Sequence, residues 1–295
     1  MRRTIAAVCL VTVKALTCSD DLDGPFWGIW IDGKNASEGP QAYGAEYGET
    51  MRRALEAVYK MEKKRGKQEE VDRQIFRALP RLLGGMPVYK YGGLFEMQTL
   101  GGRAFRAVYD CVRPELPQKD LMAMFDTDIE DFYNASCIPS GRPCRSHRLT
   151  VPETVEKLAE SYDKLQSKAS TSDDQLRGIA SLMKNLALLH ALPDRNGRSR
   201  LLLLQLELRR LGLACGTLTY NNNQNVYFDS IDTLVAKIKE GIDMYNKAKA
   251  GGSNPWLEQG NVDRHRHAFM SRHDSLLDKC TRQFAARTGR GLSHE

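Results

Sequence analysis

The chain has 295 residues, 41% of them hydrophobic and 27% charged, and 43 basic against 37 acidic residues give a net charge of +6. That balance fits one large globular domain or two small ones and excludes an intrinsically disordered chain. No Lys/Arg stripe with interleaved aromatic residues runs through it, so nucleic acid is not an expected partner, and no apolar run is long enough to span a bilayer.

The first 17 residues resemble a short secretory signal: a basic start at Arg2 and Arg3, an apolar stretch, and small residues near Ala15. A secreted protein is the expectation. The alternative is a cytoplasmic protein in which this stretch is a buried first strand or helix. Removing residues 1–17 would take away Arg2, Arg3 and Lys14 and no acidic residue. Seven cysteines are present, at 9, 18, 111, 137, 144, 215 and 280, with no CxxC pair, so a zinc site is not expected. Cys137 and Cys144 flank a Pro- and Gly-rich loop that a disulfide could close in an exported protein.

Residues 18–43 read as an N-terminal extension holding a short strand between Asp23 and Gly33. A helix is predicted from Glu46 to Arg65, with Met51, Leu55, Val58, Tyr59 and Met61 on one side. A second runs from Glu70 to Leu83, with Pro80 kinking or ending it. Met86 to Met97 reads as a β-hairpin turning at Gly92-Gly93. Further helices are predicted over Asp120–Tyr133 and Thr154–Ser167, the latter with Pro152 near its start. Ser172-Asp-Asp-Gln175 has capping-box spacing and opens an amphipathic helix through Ile179, Leu182, Met183, Leu186 and Leu189. Asn196-Gly197 is read as a turn, and Arg198 to Leu211 as a helix apolar nearly all round, hence central and buried. Short extended pieces at 216–220 and 226–228 precede a last helix, Asp232–Ala250, capped by Ser230. Residues 251–295 form a linker and a basic tail.

Chemistry concentrates in one place. His190, Asp194, Asn196, Gly197 and Arg198 fall within nine residues, between two helices. A loop–helix junction with a glycine lets a phosphate approach the backbone, and the helix dipole favours negative charge there. Arg198 adds a charge-assisted fork to phosphate oxygens. Asp194 is the kind of carboxylate that completes a Mg²⁺ shell made of phosphate oxygens and water. His190 titrates near neutral pH and can take a hydroxyl proton. Singly, each residue reads as a cap, a turn or a solvated side chain. Together, five fixed types at this spacing arise by chance with odds on the order of 10⁻⁴ or less.

The run from His190 to Leu201 resembles the signature of the Fic/Doc (Fido) superfamily, a histidine, an acidic residue and an Asn-Gly-Arg turn between two helices. The resemblance is sharp over about a dozen residues and extends only by helix order through residues 44–250. It implies a mainly α, Fido-like helical bundle, with a central buried helix after the motif loop and a small β-hairpin flap, here Val88–Met97. It also implies transfer of a nucleotide-derived phosphoryl group, AMP from ATP in most members, onto a Ser, Thr or Tyr hydroxyl of a target protein. His190 would be the base and Asp194 the Mg²⁺ ligand. Asn196, Gly197 and Arg198, with Arg200, would hold the nucleotide phosphates. The sequence departs from the pattern at Ala191, Leu192 and Arg195. Leu201 stands where adenylylating members carry a second arginine, as in Doc-type members. Arg200 lies one residue early, rotated by about 100°. A secreted toxin or effector is the reading that follows. Its alternatives are a catalytically degenerate Fido-fold binding protein and a helical secreted interaction protein with no enzymatic activity.

Overall fold

The computed structural model describes Cys18, residues 45–65, 151–189, 196–218 and 230–251, and single residues at 79, 81, 82, 279, 282, 283 and 286. Among the described residues there are five helices and no strand: α1 (Ala45–Arg65), α2 (Val151–Lys168), α3 (Ser172–Leu189), α4 (Asn196–Arg210) and α5 (Ile231–Lys249). The protein is mainly α there, as the periodicity predicts. The strand at 23–33, the helix at 120–133 and the hairpin at 86–97 lie outside the described residues. So do the Cys137–Cys144 loop and the second extended piece, 226–228. Of the helix predicted over 70–83, Leu79, Arg81 and Leu82 are described, all helical, with Leu79 in the core.

One apolar core joins all five helices. Helix α1 contributes Met51, Ala54, Leu55, Val58 and Tyr59; α2 contributes Val155, Leu158, Ala159 and Tyr162. Both sets follow the i, i+3, i+4 spacing of a single buried face. Helix α3 packs on α2, α4 and α5, while α4 packs on α1 and α3. With neighbours on three sides, α3 is buried all round from Gly178 to Ala187, including Lys184 and Asn185. The one-faced amphipathic helix expected from its apolar spacing is therefore corrected by its central position. Asn185 Nδ2 donates to the Ser181 carbonyl oxygen at 2.8 Å, which satisfies one of these buried polar groups within the helix.

The cap of α3 is set one residue earlier than expected. Asp174 N donates to Thr171 Oγ1 at 3.1 Å, and Thr171 N donates to Asp174 Oδ2 at 3.0 Å. The capping box is thus Thr171-x-x-Asp174, and Ser172 is the first helical residue. A carboxylate wins over the Gln175 amide because it accepts several donors at once and complements the helix dipole. It also takes hydrogen bonds from Ser170 N and Oγ and from Thr171 Oγ1. The Thr171 and Ser170 side-chain bonds hold the Asp174 pKa below its ordinary value.

Helix α4 ends in a Schellman motif. Gly212 has φ of 67°, Leu213 N donates to the Leu208 carbonyl at 2.9 Å, and Gly212 N donates to the Arg209 carbonyl at 3.0 Å. The chain then runs along α5. Leu218 N donates to the Gly241 carbonyl at 2.9 Å, and the approach is so close that a Cβ on Gly241 would stand 2.2 Å from Thr217 Oγ1. The Gln205 side chain imitates a strand partner for Thr217, accepting from its N–H and donating to its carbonyl, both at 3.0 Å. Ser230 caps α5 as predicted, its Oγ accepting from Thr233 N at 3.1 Å.

Candidate functional site at the start of α4

Only six residues, 190–195, separate the last residue of α3 from the first of α4, and the two helices pack on each other. The N-terminal end of α4 is Asn196-Gly197-Arg198-Ser199-Arg200. Asn196-Gly197, expected as a turn ahead of the helix, forms its first two residues instead. The physical reason is that first-turn N–H groups have no carbonyl to meet inside the helix, so neither an Asn nor a Gly there breaks a ladder bond. The consequence for the site is direct: Asn196, Gly197 and Arg198 all sit on the turn whose N–H groups and dipole attract anions.

Burial sorts these side chains. Asn196 is buried, while Gly197 and Arg198 are half-buried at the edge of the core. Arg200 is buried, and its Nε donates back to the Asn196 carbonyl at 3.4 Å, so its side chain lies along its own first turn. Leu201 is buried in the apolar layer. The structure thus brings Asn196, Gly197, Arg198 and Arg200 onto one helix end. His190 and Asp194 lie outside the described residues. Among the described residues no group of three or more His, Cys, Asp or Glu could hold a metal ion.

Three features were not foreseen from the sequence. Ser199 Oγ, in the first turn of α4, is buried and has no hydrogen-bond partner among the described residues. Nothing in the pattern singled out this serine, because its burial follows from α4 being enclosed on every side.

The second is a polar knot at the other end of α4. Tyr162 of α2 donates to Glu207 Oε2 at 2.5 Å, and Arg210 grips the same carboxylate through Nε at 3.1 and 3.0 Å and Nη2 at 2.6 Å. Burial, reinforced by the Glu207 charge, holds the Tyr162 pKa well above the usual tyrosine value. Burial opposes the Arg210 charge, but the Glu207 hydrogen bonds and charge outweigh it and hold that guanidinium above its usual pKa. Neighbouring Arg209 lies 3.8 Å from the ring centroid of Tyr59, tying α4 to α1 by a cation–π contact. These residues fix the axis of α4 and hence the direction in which its start points.

The third is a disulfide between Cys18 and Cys215, with Cα atoms 5.2 Å apart and a separation of 197 in sequence. No spacing in the sequence pairs these two cysteines.

Comparison with protein-family models and with curated proteins finds no match to this chain. No helix among the described residues is long and apolar enough to cross a membrane.

Proposed function

We propose that this protein transfers a nucleotide-derived phosphoryl group, AMP from ATP, onto a hydroxyl side chain of a target protein. The observation that carries the reading is the placement of Asn196, Gly197 and Arg198 on the first turn of the enclosed helix α4, six residues after α3 ends. The Fido resemblance of residues 190–201 supplies the chemistry. The α4 start and the Arg198 guanidinium hold the phosphates of ATP. His190 takes the proton from the target hydroxyl, whose oxygen attacks the α-phosphorus. The bond to the pyrophosphate oxygen breaks, leaving AMP esterified to the target and pyrophosphate free. Asp194 would hold a Mg²⁺ ion, which would supply charge neutralisation on the phosphates. Much of the rate then comes from positioning and from a preorganised field at a helix end whose axis is fixed by the Glu207 knot. We further propose that the protein is secreted, as a toxin or effector. The leader-like residues 1–17 and the Cys18–Cys215 bond support this, since structural disulfides persist in oxidising compartments.

The experiment is incubation with labelled ATP, Mg²⁺ and a cell lysate. Labelled protein bands that need both Mg²⁺ and His190 are expected. Equal labelling by the His190→Ala variant would remove the base from the proposal. A specific observation favours a second reading, a nucleotide-binding protein without transferase activity: Arg200 lies along its own helix and Leu201 is apolar and buried, so the adenylylating members' second phosphate-binding arginine has no equivalent there. Mg²⁺-nucleotide binding without any labelled target would establish that reading instead.

A further inference from the structure

Ser199 sits on α4 at a place where a hydroxyl is costly. The residue is 7% exposed, and its Oγ has no hydrogen-bond partner among the described residues. Burying a donor without a partner destabilises a fold, and folded proteins hold few such groups. Packing does not call for it. The line of α4 that carries Ser199 continues through Leu202, Leu203 and Leu206, which are 0%, 1% and 1% exposed, and an alanine would fill the same place without the penalty. A serine inside a helix ordinarily bonds back to a carbonyl one turn earlier. The Asn196 carbonyl, one turn back, accepts from Arg200 Nε at 3.4 Å instead. Asn196 precedes Ser199 by three positions, the spacing of neighbours on one helix face, and is 8% exposed. Helical side chains lean toward the N-terminus of their helix, so the Ser199 hydroxyl lies back over the first turn. The N–H groups of that turn have no carbonyl to meet inside the helix, and the dipole there favours an anion. Gly197 and Arg198, both half-buried, carry the same turn to the edge of the core.

We propose that Ser199 is a phosphate-binding residue, its Oγ donating a hydrogen bond to a phosphate oxygen of a nucleoside triphosphate seated beside Asn196. The inference rests on the reading that the α4 start takes the donor's phosphates, and adds a neutral, buried donor to it. In the ligand-free protein the hydroxyl is unmet and destabilising; a bound phosphate oxygen meets it. Removing the hydroxyl therefore moves stability and affinity in opposite directions. A buried water on the same hydroxyl would relieve the penalty without any ligand, and removal of the hydroxyl would then leave affinity unchanged.

The test uses the full chain and needs no target protein. Mg²⁺-ATP is titrated by calorimetry into wild type, Ser199→Ala and Ser199→Cys, and the ligand-free proteins are melted. Alanine removes the donor; cysteine keeps the shape but offers only a weak donor. Both variants should bind Mg²⁺-ATP more weakly than wild type by about 10- to 100-fold, the range for a lost hydrogen bond to a charged group. Ligand-free Ser199→Ala should melt no lower than wild type, and up to about 5 °C higher. A lower melting temperature for that variant would mean that the hydroxyl has a structural partner, and would overturn the proposal. Wild-type affinity in either variant would overturn it too, while leaving the phosphate-holding reading of the α4 start in place. Failure of wild type itself to bind Mg²⁺-ATP would remove both.

Discussion

Replacing Arg210 by Met should be among the most damaging single changes at a site remote from the α4 start. The Glu207 side chain is fully buried, and Arg210 supplies three of the four hydrogen-bond contacts to its carboxylate, the fourth coming from Tyr162. Methionine keeps most of the apolar stem of the arginine, so little packing is lost. What is lost is the countercharge, and a carboxylate left buried without one costs about 3–5 kcal/mol. For a chain of this size that corresponds to a fall in Tm of about 6–10 °C, at roughly 2 °C per kcal/mol. Urea unfolding at neutral pH should show the midpoint moving down with an unchanged slope. A triple variant, Tyr162→Phe, Glu207→Leu and Arg210→Met, removes every charge and donor of the knot together and should recover most of that loss, because an apolar replacement of a whole buried network is close to neutral. A cost below about 1 kcal/mol for Arg210→Met would mean that water reaches Glu207 and that the knot does not set the axis of α4.

Five further outcomes are expected. Tyr162→Phe should cost about 1.5 kcal/mol, at the low end for a hydrogen bond to a charged group because Arg210 still satisfies both Glu207 oxygens. The raised Tyr162 pKa makes a stability contribution that is fully present below the ordinary value of 10.0 and lost as pH rises from there toward the folded value, so alkaline unfolding should have a steeper pH slope in wild type than in Tyr162→Phe. The lowered Asp174 pKa has the opposite sign: its contribution is present above 3.8 and lost as pH falls through the folded value, and Thr171→Val should move the Asp174 titration back up in a carboxyl NMR experiment. Gly241→Ala should destabilise by about 1–3 kcal/mol in thermal melts despite the better helix propensity of alanine, since its methyl would meet Thr217 Oγ1 and the Leu218 carbonyl. Cys18→Ser should lower the stability of the oxidised protein by up to about 5 kcal/mol, the loop-closure entropy of a closure near 200 residues long, measured as a shift in the urea midpoint.

Much of the helical frame was readable from periodicity and caps. The predicted starts of α1 and α5 fall within one residue of the observed ones, because the apolar face of each has a single neighbour layer and Ser230 offers an unambiguous cap. The capping box of α3 slipped by one because two serine/threonine residues with an acid or amide three positions on compete there, and only packing and charge decide between them. The burial of α4 was legible in its leucine run, yet the buried Glu207, Arg209 and Arg210 were not, since a charged residue reads as solvated until a partner on a distant helix is known. The Cys18 to Cys215 link has no local signature at all; it joins two distant positions that no spacing rule connects. At the candidate site the sequence started the helix at Arg198 and read Asn196-Gly197 as a turn, where those two residues open the helix, and it did not single out the buried Ser199 beside them.

The proposed phosphate-holding role of the α4 start is tested most directly by titrating Mg²⁺-ATP into the protein while following hydrogen exchange at Asn196, Gly197 and Arg198. Saturable protection of these amides, lost in Arg198→Ala, is the expected result. Binding that leaves those three amides unprotected, or no binding at all, would contradict it.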